Sequence, residues 1–185
     1  MGPRMASMGI KFVPLPVPLQ ERVNRVMKKI EKGEIDSDWG SQLFLKYFAQ
    51  RISIIAENSP HREELELAAK GKRLALIIKG TDIDHAATFG DSLAELTIER
   101  PSKLGDPAMI FNNMDVFLDV ILSRKDLMRA GIEKQVEVRK MVQLFKWMAP
   151  ILALQDEKTQ QQLEARCPVI LSGIIDVIEE KYGLK

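Results

Sequence analysis

Residues 73–79 read RLALIIK, and apolar side chains fill the interior of this stretch. In an extended chain Leu74, Leu76 and Ile78 lie on one face. Ala75 and Ile77 lie on the other, so the strand is apolar on both sides. This pattern predicts the centre of a sheet. Alternating or short apolar segments predict four more strands, at 85–89, 92–100, 108–111 and around 136–138.

Helical periodicity surrounds these strands on both sides. Apolar residues recur every three to four positions in 19–30 and 43–55, and again in 114–122 and 141–152. Pro168 is predicted to open a C-terminal helix, since proline fits the first helical turn. The order of elements predicts an α+β fold, in which helices cover a mostly antiparallel sheet of about five strands. The N-terminal helices and the C-terminal helix are additions to this sheet.

The N-terminal segment has a different character. Pro14, Pro16 and Pro18 alternate with valine and leucine, and each proline fixes φ and removes a backbone donor. We therefore expect an extended arm over residues 1–18 and a single domain over 19–185. A chain of 185 residues is of ordinary size for one domain.

Composition excludes several classes of function. The chain has 27 basic and 26 acidic residues and only 6% aromatic residues, which argues against nucleic-acid binding. One cysteine and two histidines provide neither a disulfide nor a Cys/His zinc site. Charges interrupt every apolar run before it reaches a membrane span of roughly 18 residues, and no secretory signal is evident. We therefore expect a soluble, cytoplasmic protein.

Motifs for catalysis are missing from the sequence. It contains no HExxH, no G-x-S-x-G and no glycine-rich phosphate loop. Asp82, Asp84 and His85 form the one dense group of metal-ligand types, and we interpret it as a solvated turn. Cys167 is interpreted as an inert, buried thiol. The sequence thus predicts no enzyme, no cofactor and no metal site.

One region resembles a known family. A strand at 108–111, a helix at 114–122, the segment RKDLMRA at 124–130, and a strand at 136–138 before an apolar helix follow one another. This order resembles the lipid-carrier domain of the type-two sterol carrier protein family, over roughly residues 72–152. Lys134 and Lys140 stand where that family has glycines. The resemblance implies a non-enzymatic domain with an apolar tunnel between its sheet and its helices.

The tunnel hypothesis selects residues of the helices that follow the sheet. Methionines are flexible and polarizable, so they suit a wall that adapts to varied apolar ligands. The predicted ligand-binding residues are Phe117, Ile121, Leu122, Met128, Met141, Leu144, Phe145 and Met148. Arg124, Lys125 and Arg129 are predicted to contact an anionic headgroup or a membrane surface.

The predicted function is lipid binding or lipid transfer inside the cell. The partner is then an apolar small molecule of the fatty-acyl or isoprenoid type, with transient contact to a membrane surface, and a homodimer is left open. The alternative is an interaction module with a closed core that docks on a partner protein. An accessory role in the biosynthesis of a lipid-soluble quinone belongs to this alternative.

Overall fold

The computed structural model describes residues 15–122, 124–154 and 156–184. It confirms the predicted α+β class, the mostly antiparallel five-stranded sheet and the added terminal helices. In chain order the elements of the described residues are α1 (Val17–Glu31), α2 (Ser37–Glu57), α3 (Arg62–Ala69), β1 (Arg73–Ile78), β2 (Asp84–Phe89), β3 (Leu96–Glu99), β4 (Ala108–Phe111), α4 (Met114–Ile121), α5 (Leu127–Ile132), β5 (Val136–Arg139), α6 (Met141–Leu152) and α7 (Glu157–Tyr182).

The sheet has the strand order β3-β2-β1-β4-β5, so β1 is its central strand as the sequence predicts. Three of the four pairs are antiparallel, and β1 pairs with β4 in parallel. In that pair Ala75 lies opposite Ala108 and Ile77 opposite Ile110. A parallel neighbour requires the chain to cross the sheet, and residues 100–107 make this connection.

One face of the sheet carries large apolar side chains, and we call it the helix face. Leu76 and Ile78 of β1 lie there with Phe89 of β2 and Phe111 of β4. These side chains join the main core, to which α1, α2, α4, α6 and α7 also contribute buried residues. The alternation of side chains along a strand places every second residue of β1 in this core.

The opposite face carries small side chains at its centre, and we call it the alanine face. Ala75, Ala86 and Ala108 lie there, each fully buried. The segment 100–107 contacts this face, because the Ser102 backbone N–H bonds Asp84 of β2 at 3.2 Å. Its Asp106 bonds Arg73 of β1 through two hydrogen bonds of 2.6 and 2.9 Å. Alanine side chains leave room for a backbone segment to lie close to the sheet.

The terminal helices form a second layer over α2. The helix α7 packs against both α1 and α2. Arg22 of α1 contacts two carboxylates of α7, with 2.5 Å from Nη2 to Asp176 and 2.7 Å from Nε to the buried Glu179. None of the helices in the described residues combines the length and the apolar content needed to cross a bilayer.

The starts of two helices differ from the sequence prediction, and each difference involves a proline. The helix α1 begins at Val17, so Pro18 belongs to a helix and not to an arm, because the first turn needs no donor there. The predicted arm otherwise falls largely on residues 1–14, outside the described residues. Pro168 does not open the C-terminal helix, since α7 begins at Glu157 and contains this proline. Asp156 caps α7 by accepting from the Thr159 backbone N–H at 2.8 Å.

Candidate functional site

An apolar cavity of about 90 Å³ lies between α2 and the helix face of the sheet. The helices α4 and α6 close its remaining sides. Aliphatic, aromatic and methionine side chains form nearly all of its wall. The lining residues are Leu45, Phe48, Arg51, Ile52, Ile55, Leu74, Ala75, Leu76, Met109, Phe111, Phe117, Ile121 and Met148.

Arg51 is the one charged residue among these lining residues of the described chain. Its position follows from helical spacing, since Phe44, Tyr47, Arg51 and Ile55 succeed one another at intervals of three or four residues. This stripe of α2 faces the core, and only 4% of Arg51 is exposed. Sequence reasoning missed Arg51. The available signal was a charged residue within an apolar helical stripe.

The surroundings of Arg51 set its electrostatics. Burial lowers the pKa of the guanidinium, while the electrostatic influence of Tyr47 and Cys167 opposes that shift. Arginine stays protonated in proteins, so the cavity wall carries a positive charge. Burial also raises the pKa of the Cys167 thiol and the pKa of the Tyr47 hydroxyl. Both of these groups are therefore neutral near pH 7.

The arrangement can accommodate a ligand with a negative end and an apolar end. A guanidinium matches a carboxylate in shape and charge, and such charge-assisted hydrogen bonds are about twice as strong as neutral ones. The neighbouring wall, formed by residues such as Leu76, Phe111 and Met148, offers apolar contact for a hydrocarbon tail. Removing a carboxylate from water is costly, and a charged partner is what offsets that cost.

The structure separates the predicted ligand-binding residues into three groups. Phe117, Ile121 and Met148 line the cavity. Leu122 and Leu144 are buried in the core without lining it, and Phe145 packs against the core half-buried. The remaining two residues lie outside the cavity, because they occupy exposed turns of short or starting helices. They are Met128, which is 36% exposed, and Met141, which is 51% exposed.

The three predicted headgroup residues have acidic neighbours. Lys125 Nζ lies 2.5 Å and Arg129 Nε 3.0 Å from the carboxylate of Glu133. Arg124 Nη1 lies 3.9 Å from Asp119. Arg129 and Glu133 are four positions apart and are brought together by the helical turn, whereas the other two pairs join residues five and eight positions apart. Two carboxylates thus offset part of the charge of these three cations.

The aspartate and histidine group at 82–85 does not converge on one point. Asp84 lies on the alanine face and His85 on the helix face, because successive strand residues point to opposite sides. Asp82 is exposed in the preceding turn. Within the described residues, no group of three or more histidine, cysteine, aspartate or glutamate side chains could hold a metal ion.

His85 instead takes part in a contact between α2 and the sheet. Its Nε2 lies 2.9 Å from Asp38 Oδ1, and Arg100 Nη1 donates to the same oxygen at 3.0 Å. The hydrogen bond with His85, and then the one from Arg100, hold the pKa of Asp38 below its ordinary value. This cluster fixes the first turn of α2 against β2 and the end of β3. It lies outside the cavity lining.

Comparison of the chain with family models, with curated proteins and with solved structures finds no match.

Proposed function

We propose that this protein binds a small carboxylic acid, or a related anion with an apolar tail, in the cavity between α2 and the helix face. The buried guanidinium of Arg51 in an otherwise apolar wall is the observation that carries the proposal. The anionic end lies against Arg51, and the tail extends towards Phe117 and Met148. The activity is binding and release of the ligand, without a chemical step.

The position of the cavity agrees with what the resemblance to the type-two sterol carrier protein family implies. That resemblance favours an apolar space between the sheet and the helices at 114–122 and 141–152, and α4 and α6 supply lining residues here. The order β4, α4, α5, β5, α6 is also the order on which the resemblance rests. The resemblance supports a lipid or acyl type of ligand, and nothing in the residues favours a sterol.

The volume limits the size of the tail. A cavity of about 90 Å³ is smaller than the roughly 150 Å³ cavity that holds a benzene ring. It therefore fits a tail of a few carbons. A longer acyl or isoprenoid chain requires lining side chains to move, and Met109 and Met148 have the flexibility to do so.

A calorimetric titration tests the proposal. Straight-chain carboxylates from butanoate to octanoate are titrated at neutral pH, beside the primary alcohols of equal length. We expect each carboxylate to bind more tightly than its alcohol. The affinity should rise by about 0.8 kcal/mol for each added CH₂ until the cavity is full.

Substitution of Arg51 tests whether its charge causes the preference for carboxylate over alcohol. Arg51→Met keeps a long apolar stem without the charge, and it should abolish the preference for carboxylate over alcohol. Arg25→Met, at an exposed position of α1, is the matched control and should retain it. If Arg51→Met does not fold, the comparison of carboxylates with alcohols on the unaltered protein still tests the proposal. Failure of all these compounds to bind would favour the closed-core interaction module.

The proposal includes a cellular setting. The protein would carry small apolar acids in the cytoplasm and would make transient contact with a membrane surface, where such acids partition. The titration above addresses the ligand. It does not depend on this setting.

A further inference from the structure

A second and larger cavity, with several charged residues on its walls, opens at the start of β1. It has a volume of about 390 Å³, which is within the range of ligand-binding clefts. Lys72 at the start of β1, Gly105 of the crossing segment and Lys146 of α6 lie on its walls, with Trp147 beside them. We call this cavity the lysine cleft.

Lysines without acidic partners surround the lysine cleft. Lys72 and Lys146 line it from two different elements. Lys140 reaches it too, because a β-carbon built on Gly105 would lie 3.8 Å from the Lys140 Nζ. Within the described residues, none of these three ammonium groups has a carboxylate oxygen within 4.0 Å. They differ in this from Arg124, Lys125 and Arg129, each of which has a carboxylate oxygen within that distance.

One carboxylate lines the lysine cleft, and it is already engaged. Asp106 Oδ1 accepts from Arg73 Nε at 2.6 Å, and Oδ2 accepts from Arg73 Nη2 at 2.9 Å and from the Lys103 backbone N–H at 2.8 Å. Its side chain is 6% exposed. Arg73 also contacts Glu99, whose carboxylate lies 3.9 Å from Lys103 Nζ. Arg73 and Lys103 thus match Asp106 and Glu99 in charge, and Lys72 and Lys146 remain as an excess of positive charge at the cleft.

This excess is local. The whole chain has a net charge of +1, so the cluster is not the consequence of a generally basic surface. Lysines that line one concave site from different elements attract a group with several anionic oxygens and more than one negative charge. Phosphate has this character, and lysine binds it as a point charge.

We propose that the lysine cleft binds a phosphate group, supplied either by a small phosphorylated molecule or by the headgroup of an anionic phospholipid. The exposed Leu104 and Val142, which are 89% and 85% exposed, flank the segments that form the cleft and suit the second source. This proposal does not rest on carboxylate binding in the apolar cavity, since the two sites use different residues.

The test has one arm for each source. In the first, inorganic phosphate and pyrophosphate are titrated into the protein by calorimetry. In the second, sedimentation with phosphatidylcholine vesicles is compared with and without phosphatidic acid. Binding of the free anions identifies a small phosphorylated ligand, and binding to the phosphatidic acid vesicles alone identifies a headgroup. Either result supports the proposal, provided that it depends on the cleft lysines.

A charge-matched pair of variants establishes that dependence. Lys72→Gln/Lys146→Gln removes two cleft charges, and we expect binding to weaken at least tenfold, as loss of a hydrogen bond to a charged group implies. Lys46→Gln/Lys158→Gln removes two exposed charges elsewhere and should bind like the unaltered protein. The four lysines are exposed, so both variants should fold, which thermal melting verifies.

Tryptophan fluorescence shows whether the probe binds in the lysine cleft. The chain has two tryptophans, and Trp147 lines the lysine cleft whereas Trp39 packs against Tyr182. In a Trp39→Phe variant the emission reports on Trp147 alone and should change as pyrophosphate or the vesicles bind. Equal binding by the two double variants, or no binding of the unaltered protein to either probe, would overturn the proposal.

Discussion

The two faces of the sheet are buried in different ways. The helix face carries leucine, isoleucine and phenylalanine, and it is covered by helices whose own side chains fill the space between the layers. The alanine face carries Ala75, Ala86 and Ala108 at its centre, and the crossing segment 100–107 contacts it. Large side chains hold a neighbouring layer at a distance, whereas methyl groups allow a backbone to come close.

The two cavities lie at different places around these layers. Between the helix face and the helices that cover it, an apolar cavity remains beside Arg51. At the start of β1, between the crossing segment and α6, the lysine cleft remains. The two sites therefore differ in the chemistry that each can offer to a ligand.

Removal of a large side chain that packs against the helix face should have the greatest effect. Phe117 is 1% exposed, and its ring packs edge-on against Phe111 with 5.1 Å between the ring centroids. Phe117→Ala should lower the free energy of unfolding by about 3–5 kcal/mol, through lost burial and an enlarged cavity. Urea denaturation measures it, and Lys46→Ala on an exposed position of α2 should stay within about 0.5 kcal/mol.

Addition of a large side chain to the alanine face should have the next greatest effect. Ala86 is fully buried on that face, so Ala86→Leu should lower the free energy of unfolding by up to about 3 kcal/mol through overpacking. Thr97→Leu is the matched control, because Thr97 lies on the same face at the exposed edge strand. Equal stability of the two variants would show that the crossing segment does not pack tightly on the alanines.

Loss of the ion pair that holds the crossing segment should have the smallest effect, and it should depend on pH. The hydrogen bonds from Arg73, more than any other cause, hold the pKa of Asp106 below its ordinary value of 3.8. Because the folded pKa is lowered, the carboxylate stabilises the fold above the unfolded pKa and ceases to do so as the pH falls through the folded one. Asp106→Asn should therefore cost about 2 kcal/mol at neutral pH.

The pH dependence of stability shows whether Asp106 acts through its charge. Denaturation curves of the unaltered protein and of Asp106→Asn should begin to converge as the pH falls below about 3.8. They should coincide once the pH is below the lowered pKa of the folded protein, where both lack the charge. A difference in stability that persists unchanged into acid would show that the side chain acts through its shape and not through the ion pair.

The strands and most helices could be predicted because their apolar spacing is regular. The spacing of 108–111 predicts β4 and that of 141–152 predicts α6 with the observed bounds, since each has a clear period and clear ends. The predicted start of α7 at Pro168 lies eleven residues after the observed start at Glu157, because a proline that suits a first helical turn here lies inside a long helix. Local preference was overruled there by packing of the helix against α1 and α2.

The candidate site could be predicted only in part, for a physical reason. The sequence predicts Phe117, Ile121 and Met148 as residues of helices next to a sheet, and they line the cavity. It does not single out Arg51 or Lys72, because what these residues can bind depends on the residues opposite them in space. The parallel pairing of β1 with β4, which brings the crossing segment past the start of β1, has no signature in the periodicity of either strand.

The ends of the sheet have a consequence for association between molecules. The edge strands β3 and β5 have four residues each, and they alternate apolar side chains with Thr97, Glu99, Glu137 and Arg139. Short edges with charged side chains are poor templates for a strand from another chain. Growth of the sheet by edge-to-edge pairing, the first step of many fibrils, is therefore disfavoured at both ends.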